Sequence, residues 1–510
     1  MKSSAASSFI RILKHLVLGL FSLIALSCQA AFPIPRTSGS PPAVSKTIPT
    51  DTLVSPSPAI PTISNRAYDT GPSTIYLPLV SMPNLTIFGA SIGQMGNSGA
   101  INQVAQAGLG WTRLDLDWAA VEPVDGSINW AAAAAIEQEI LAVKNARLQP
   151  ILVIGNSPKW ALKQGFACGV IREDVFPELA RFSREAVFRY SQAPYYVEKF
   201  ELYNEPDAPN FLGCWGDPAD INYFGGAYYG RMLQSVFPAM KSANSQVQVL
   251  VGGLLLDCDP TNPPLVAETG QEKNCIPGKF FEGILSSGAG NSFDAVAFHS
   301  YDYYAGLGDY NNPNWHTGRM VVGSNGSSTL AKAAYLRNVM RLYGITGKLL
   351  YNTEFAIFCG NAGKNECSSY QDEVEATKAD YIVEFMASAM ADGYKSAIWY
   401  AALGDRNNSL LNPDLTPKPV YNAYRFCNLL IGNATYVQRV ADPFFVIHEF
   451  QTSNEKIWIV WTMDNQPHTL TLPSLPNEID HLGPDGNPVQ DAPSTSVTMG
   501  VAPVIVRFSK

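Results

Sequence analysis

Charge is scarce in this chain of 510 residues. Asp, Glu, Lys and Arg make up 15% of it, where an ordinary soluble domain carries about 25%. The charge that is present leans acidic: 35 basic against 44 acidic side chains leave a net charge of -9. No Lys/Arg cluster occurs, and a phosphate backbone needs a basic face, so nucleic acid is excluded as a partner. Histidine is rarer still, at six in the whole chain. Without a Cys-x-x-Cys pair or His-rich spacing, no metal centre is expected. No apolar run reaches the roughly 20 residues that a membrane span requires. What the chain does have is 46% hydrophobic residues, nine Trp and 23 Tyr. That composition fits an exported protein with a large core and neutral ligands.

The N-terminus starts basic (Lys2, Arg11, Lys14) and continues as the apolar run "HLVLGLFSLIALSCQAA". Residues 1–30 have the pattern of a signal peptide. "ALSC", ending at Cys28, loosely resembles a bacterial lipobox, so a lipid tether at Cys28 is the alternative to free secretion. Residues 31–72 are rich in Pro, Ser and Thr without an apolar period and read as a linker. "TIYLPLV" after it reads as a short strand. Beyond Cys28, seven of the eight cysteines remain. Three local pairs suggest themselves in an oxidising compartment: Cys258 with Cys275, Cys359 with Cys367, and Cys168 with Cys214. Cys427 is left over in a helical stretch.

Over residues 73–430 apolar strand-like runs alternate with amphipathic helical ones. The strands are "LTIFGASIG", "WTRLDLDW", "QPILVIGNSP", "KFELYNEP", "VQVLVGGLL", "FDAVAFHSYDYY", "KLLYNTEFAIF" and "KSAIWYAAL". Eight strands, each followed by a helix, predict a parallel (β/α)8 TIM barrel. A doubly wound open sheet is disfavoured, because no glycine-rich phosphate loop follows an early strand. Residues 431–510 change character to short alternating strands broken by turns such as "TSNE" and "GPDGNP". They predict a C-terminal β-sandwich, whose expected role is packing against the barrel rather than binding sugar.

Two of the strands end on glutamate. In "KFELYNEPD" the alternation stops at Asn204-Glu205-Pro206, and proline forbids continuation of the ladder. In "KLLYNTEFAIF" Glu354 closes the seventh strand in the same manner. The C-terminal ends of strands four and seven face each other across a barrel mouth, so the two carboxyls converge. Facing carboxyls are the equipment of glycoside hydrolysis: one donates a proton to the leaving oxygen, the other attacks the anomeric carbon or activates water. The pair supplies both functions by itself, so no cofactor is expected.

"LYNEP" and "TEF" resemble glycoside hydrolase clan A, whose members are retaining barrel enzymes. The resemblance runs from residue 84 to about 430. Arg113 in "WTRLD" is similar to the strand-two arginine held near the nucleophile. His299 and Tyr301 in "FHSY" resemble the strand-six His-x-Tyr of family five, and Trp399 in "AIWY" the strand-eight tryptophan under the sugar. "VEPVDGSINW" and "SPKWA" are similar to stretches in family thirty-nine. Where family five has a histidine at the end of strand three, this chain has Asn156. The resemblance implies Glu354 as the nucleophile beside Arg113 and Tyr301, and Glu205 as the acid and then the base. Asn204 would meet the sugar 2-hydroxyl, while Trp399 and Trp160 would stack on sugar faces or else pack in the core. Asp115, Asp117 and Glu122 are expected on the solvent side. The implied protein is a monomeric retaining enzyme acting on a β-linked polysaccharide or oligosaccharide. The alternatives are a barrel that binds carbohydrate without turnover and a transglycosylase.

Overall fold

The structure, a computed structural model, describes residues 86–510 apart from 164–168, 210–213, 268, 320–325, 360–366, 405–406 and 465. The signal peptide, Cys28, the linker, "TIYLPLV" and Cys168 lie outside the described residues.

Eight parallel strands close into a barrel: β1 (Phe88–Ala90), β2 (Trp111–Asp117), β3 (Gln149–Gly155), β4 (Lys199–Asn204), β5 (Gln248–Leu254), β6 (Ala295–Gly306), β9 (Leu349–Phe358) and β10 (Ser396–Trp399). They pair in the order β5-β4-β3-β2-β1-β10-β9-β6, and β5 returns to β6. Between β6 and β9 the sheet carries two short antiparallel additions, β7 (Asp309–Asn312) and β8 (Thr317–Gly318). Each barrel strand is followed by a helix: α1 (Ser98–Gln106), α2 (Ala134–Asn145), α3 (Phe176–Tyr190), α4 (Gly226–Ala243), α5 (Phe280–Ser286), α6 (Ser328–Leu342), α7 (Gln371–Asp392) and α8 (Pro419–Ile431). Local chemistry marks their ends. Asn97 caps α1 by accepting from the Ala100 N–H, and α7 stops where Gly393 takes φ 77°, a left-handed conformation that glycine adopts without Cβ strain.

Inside the barrel, Trp111, Ile151, Leu250, Ala297, Tyr351 and Ile398 pack as one layer. Their pleat decides what points at the mouth above them. Because Trp111 faces inward, so do Arg113 and Asp115 two and four residues on. Because Ala295 and Ala297 face inward, so does His299. Because Ile398 faces inward, Trp399 faces outward. One irregularity breaks the rule on β9. Phe298 pairs with Asn352, but His299 pairs with Glu354, so Thr353 is an extra residue that turns Glu354 back toward the axis.

The C-terminal strands are β11 (Thr435–Val440), β12 (Phe445–Gln451), β13 (Glu455–Thr462), β14 (His468–Thr471), β15 (Glu478–Leu482), β16 (Pro488–Asp491), β17 (Ser496–Met499) and β18 (Val504–Ser509). Six of them form an antiparallel sheet ordered β11-β12-β13-β18-β15-β16, and β14 pairs with β17 as a separate ribbon. The expected sandwich is thus one wide sheet and one narrow ribbon rather than two matched sheets. Alternation along the strands divides the sheet's faces. Ile447, Trp458, Val460 and Val506 pack with Leu470 and Met499 of the ribbon. Val446, Phe450, Ile457, Ile459 and Trp461 belong to the same apolar core as the barrel and its helices. Packing against the barrel, the role expected of this region, is what that second face does.

Cys258–Cys275 and Cys359–Cys367 are disulfides, and Cys427 is buried and free. Cys214 is also disulfide-bonded, while its expected partner Cys168 lies outside the described residues. No helix among the described residues is long and apolar enough to cross a membrane.

Candidate active site

Arg113 organises the mouth. From β2 it donates to Glu354 Oε1 at 2.7 Å, to Glu201 Oε1 at 2.6 Å and to Asn204 Oδ1 at 2.8 Å. Its side chain is 7% exposed and that of Glu201 is fully buried. Burial opposes the guanidinium charge, but Glu201 and Glu354 outweigh it and raise the pKa further above its ordinary value. Glu201 was not singled out in the sequence. It lies three residues before Asn204 on the inward face of β4, where it also accepts the Gly253 N–H at 2.7 Å. A buried ion pair of this kind is costly to break, at about 3–5 kcal/mol, because one charge is left uncompensated.

Glu354 is held on both oxygens, by Arg113 and by the hydroxyl of Tyr301. Burial, and then the neighbouring Glu354 and Glu205, push the Tyr301 phenol well above its ordinary pKa, so it remains a proton donor. Glu205 reaches the same place by a different route. Tyr203 and Glu205 both take positive φ, 64° and 44°, which sends Tyr203 outward against Trp215 and Ser157. Non-glycine residues seldom sit there, so the surrounding structure must impose it.

His299 bridges the two carboxylates: Nδ1 is 2.9 Å from Glu205 Oε1 and 3.6 Å from Glu354 Oε2. The ring is fully buried, and burial lowers its pKa to about 4 against the pull of Glu354, so it is neutral at ordinary pH. A Cβ at position 253 would come 2.1 Å from His299 Nε2, which explains the glycine there. Below the ring, the buried Lys332 donates to the carbonyls of His299 and Leu255 at 2.9 and 2.7 Å. Asp207 accepts from the Leu255 and Leu256 N–H groups, and burial raises its pKa to about 7. One ligand atom each from Glu205, His299 and Glu354 lies within 4.8 Å of the other two. That spacing would also suit a cation, but both Glu354 oxygens are already occupied by donors, one of them a guanidinium. The donor set fits a held anion better.

No family model matches the chain, and no curated protein matches it. Solved structures do. A family 39 glycoside hydrolase from the gut symbiont Bacteroides cellulosilyticus WH2 is 18% identical, with a TM-score of 0.61 over 83% of this chain and 81% of that one. A family 30 endoxylanase from Clostridium papyrosolvens C71 is 12% identical, with a TM-score of 0.53 over 84% and 97% of the two chains. BuGH86, solved in complex with neoagarooctaose, is 14% identical, with a TM-score of 0.55 over 83% and 74%. The chain shares its barrel fold with these glycoside hydrolases. At these identities the likeness is one of fold.

Against that fold, the remaining expectations divide. Arg113, Asn204, Glu205, His299, Tyr301 and Glu354 converge at one end of the barrel. Trp399 does not join them. It is fully buried, packs edge-on against Phe355 and Tyr381, and donates its indole N–H to the Asn408 carbonyl at 2.7 Å. With Ile398 turned inward, its neighbour must face α7, so no sugar can stack on it. Tyr400, 37% exposed, lines the cavity instead. Trp160 packs edge-on against Trp118 and donates to the Glu122 carbonyl, a packing role. Asn156, at φ 59°, donates to Asp117 Oδ2 at 2.5 Å. Of the three acids expected on the solvent side, Asp115 is exposed and Asp117 half-buried, and the placement is corrected for Glu122. Asp115 lines the cavity with Glu354, Asp117 caps a short helix through the Ala120 N–H, and Glu122 is fully buried, accepting from Trp118 and Gly126. Alternation told which residues share a face of β2, but not which face is inside.

Proposed function

We propose that the protein is an exported retaining glycoside hydrolase acting on β-linked carbohydrate. One observation carries the reading: carboxylate oxygens of Glu205 and Glu354 approach within 4.8 Å at the mouth of a glycosidase barrel. Retaining enzymes keep their two carboxyls about 5–5.5 Å apart, whereas inverting ones leave about 6.5–9.5 Å for a water. Glu354 attacks the anomeric carbon as the glycosidic C–O bond breaks. Glu205 gives its proton to the departing oxygen, then takes one from the water that releases the sugar from Glu354. Arg113 and Tyr301 hold Glu354 in place. Asn204, beside Arg113, is positioned for the 2-hydroxyl. His299, uncharged, spaces the two acids without adding a third charge. The disulfides and the N-terminal leader support export, with Cys28 as the alternative tether.

The test is stereochemical. Proton NMR of an aryl β-glycoside digest should show the β-anomer of the product first; initial release of the α-anomer would overturn the retaining mechanism. Binding of the glycoside with no aryl release at any enzyme concentration would instead favour the non-catalytic alternative.

A further inference from the structure

We infer that the sugar seated beside the catalytic pair is uncharged and gives ring hydroxyls to a second carboxylate pair, Asp115 and Glu139; this rests on the glycosidase reading. A cavity of about 380 Å³ holds Arg113, Asn204 and Glu354 and continues past Asp115 to Glu139 of α2. Asp115 is exposed and, among the described residues, has no hydrogen-bond or ion-pair partner. Glu139 is only 3% exposed. Its Oε2 accepts the Gly96 N–H at 2.8 Å, while its Oε1 has no hydrogen-bond partner among the described residues. A buried carboxylate oxygen left unpaired is destabilising until a donor arrives. Ionised carboxylates only accept, so whatever completes this end of the cavity must donate, as sugar hydroxyls do. Charge excludes the acidic sugars. Among the described residues Arg113 is the one cation lining the cavity, and its guanidinium is already engaged by Glu201 and Glu354. Asp115 also feels Arg113, but Glu201 and Glu354 already pair that guanidinium, so carboxylates outnumber cations here and a uronic acid or sulfated sugar meets like charge.

The experiment measures kcat/KM of full-length wild type, Asp115→Asn and Glu139→Gln on 4-nitrophenyl β-xyloside, β-glucoside, β-galactoside, β-glucosaminide and β-glucuronide. Calorimetry of the matching neutral and uronic disaccharides with wild type runs alongside, and thermal melts check folding. The glucuronide should fall at least ~100-fold below the best neutral sugar. Asp115→Asn should narrow that gap about tenfold while slowing the neutral substrate. A glucuronide as good as the neutral sugars, a glucosaminide more than tenfold better, or a gap unchanged in folded Asp115→Asn would overturn the inference. If no glycoside is cleaved, the hydrolase reading falls and calorimetry decides this one. Neutral disaccharide bound over uronic sustains it; equal binding, or none, ends it.

Discussion

At the tip of β4, Glu205 is 27% exposed and meets a neutral imidazole. Midway along β9, which runs on to Phe358 instead of closing at the acid as expected, Glu354 is 9% exposed and is clamped by a guanidinium and a phenol. The two strands bring the same residue type to the mouth, yet the chain aims them differently. β4 uses positive φ at Tyr203 and Glu205, and β9 uses the extra residue Thr353. The first leaves its carboxyl open to solvent and able to exchange a proton. The second pins its carboxylate at a fixed angle. In the proposed mechanism surroundings, not identity, divide the acid from the nucleophile.

The sharpest way to break this comparison is to neutralise the clamped end. Glu354→Gln should lower kcat on aryl β-glycosides by at least ~10⁴-fold with little change in melting temperature; a folded variant that keeps turnover would end the assignment. At the open end, Glu205→Ala should cost about 10²–10⁴-fold on substrates with poor leaving groups. It should cost far less on a dinitrophenyl glycoside, where no proton need be supplied, and added azide should restore rate. An equal loss on both substrates would mean that Glu205 does not deliver the proton. Glu201→Gln tests what holds the clamp. It touches no substrate in this reading, so kcat should fall about 10–100-fold with KM nearly constant, as Arg113 loses one of its two carboxylates. A change in KM alone would place Glu201 in binding instead.

His299, lying between the two ends, gives a smaller and pH-dependent effect. Burial lowers its pKa to about 4 from 6.5, so below pH 6.5 the unfolded chain takes up a proton that the folded one refuses. Its contribution to stability is complete above pH 6.5 and is lost as pH falls toward 4. Asp207, raised to about 7 by burial, runs the other way, so the difference between wild type and His299→Gln is what to measure. Melting temperature should fall less steeply from pH 6.5 to 4 in the variant; parallel curves would show that the ring does not titrate in this window. Smallest of all at the site is Trp399→Phe. A buried Trp trimmed to Phe should cost a few degrees of melting temperature and leave KM within about twofold. A large rise in KM would mean that its face opens to sugar after all.

Much of this was legible because each barrel strand is an apolar run followed by an amphipathic helix, and because Asn-Glu-Pro ends a strand on an acid; Thr-Glu-Phe does not, since β9 runs on to Phe358. Glu201 was not, since "KFELYN" places it where alternation allows either face and a barrel interior usually takes an apolar residue. Its partner Arg113, 88 positions away, supplies the reason. Trp399 was misplaced because a motif names a residue, while the pleat set by Ile398 decides where it points. The bulge at Thr353 escaped notice for the opposite reason. Counted strictly from Tyr351, alternation would have turned Glu354 away from the axis, and only pairing with β6 reveals the extra residue.

The two-faced burial of the C-terminal sheet bears on how the chain can be cut. Its inner face belongs to the core that also contains Tyr381 and Phe385 of α7; Phe385 stacks on Phe355, the residue after Glu354, and Tyr381 packs against Phe385. A chain shortened at the end of α8 would therefore strip the outer wall from the helix that backs the nucleophile's strand. The appendage behaves as masonry rather than as a detachable tool, and grafting the barrel alone onto another protein would yield a body prone to clump and slow to turn over.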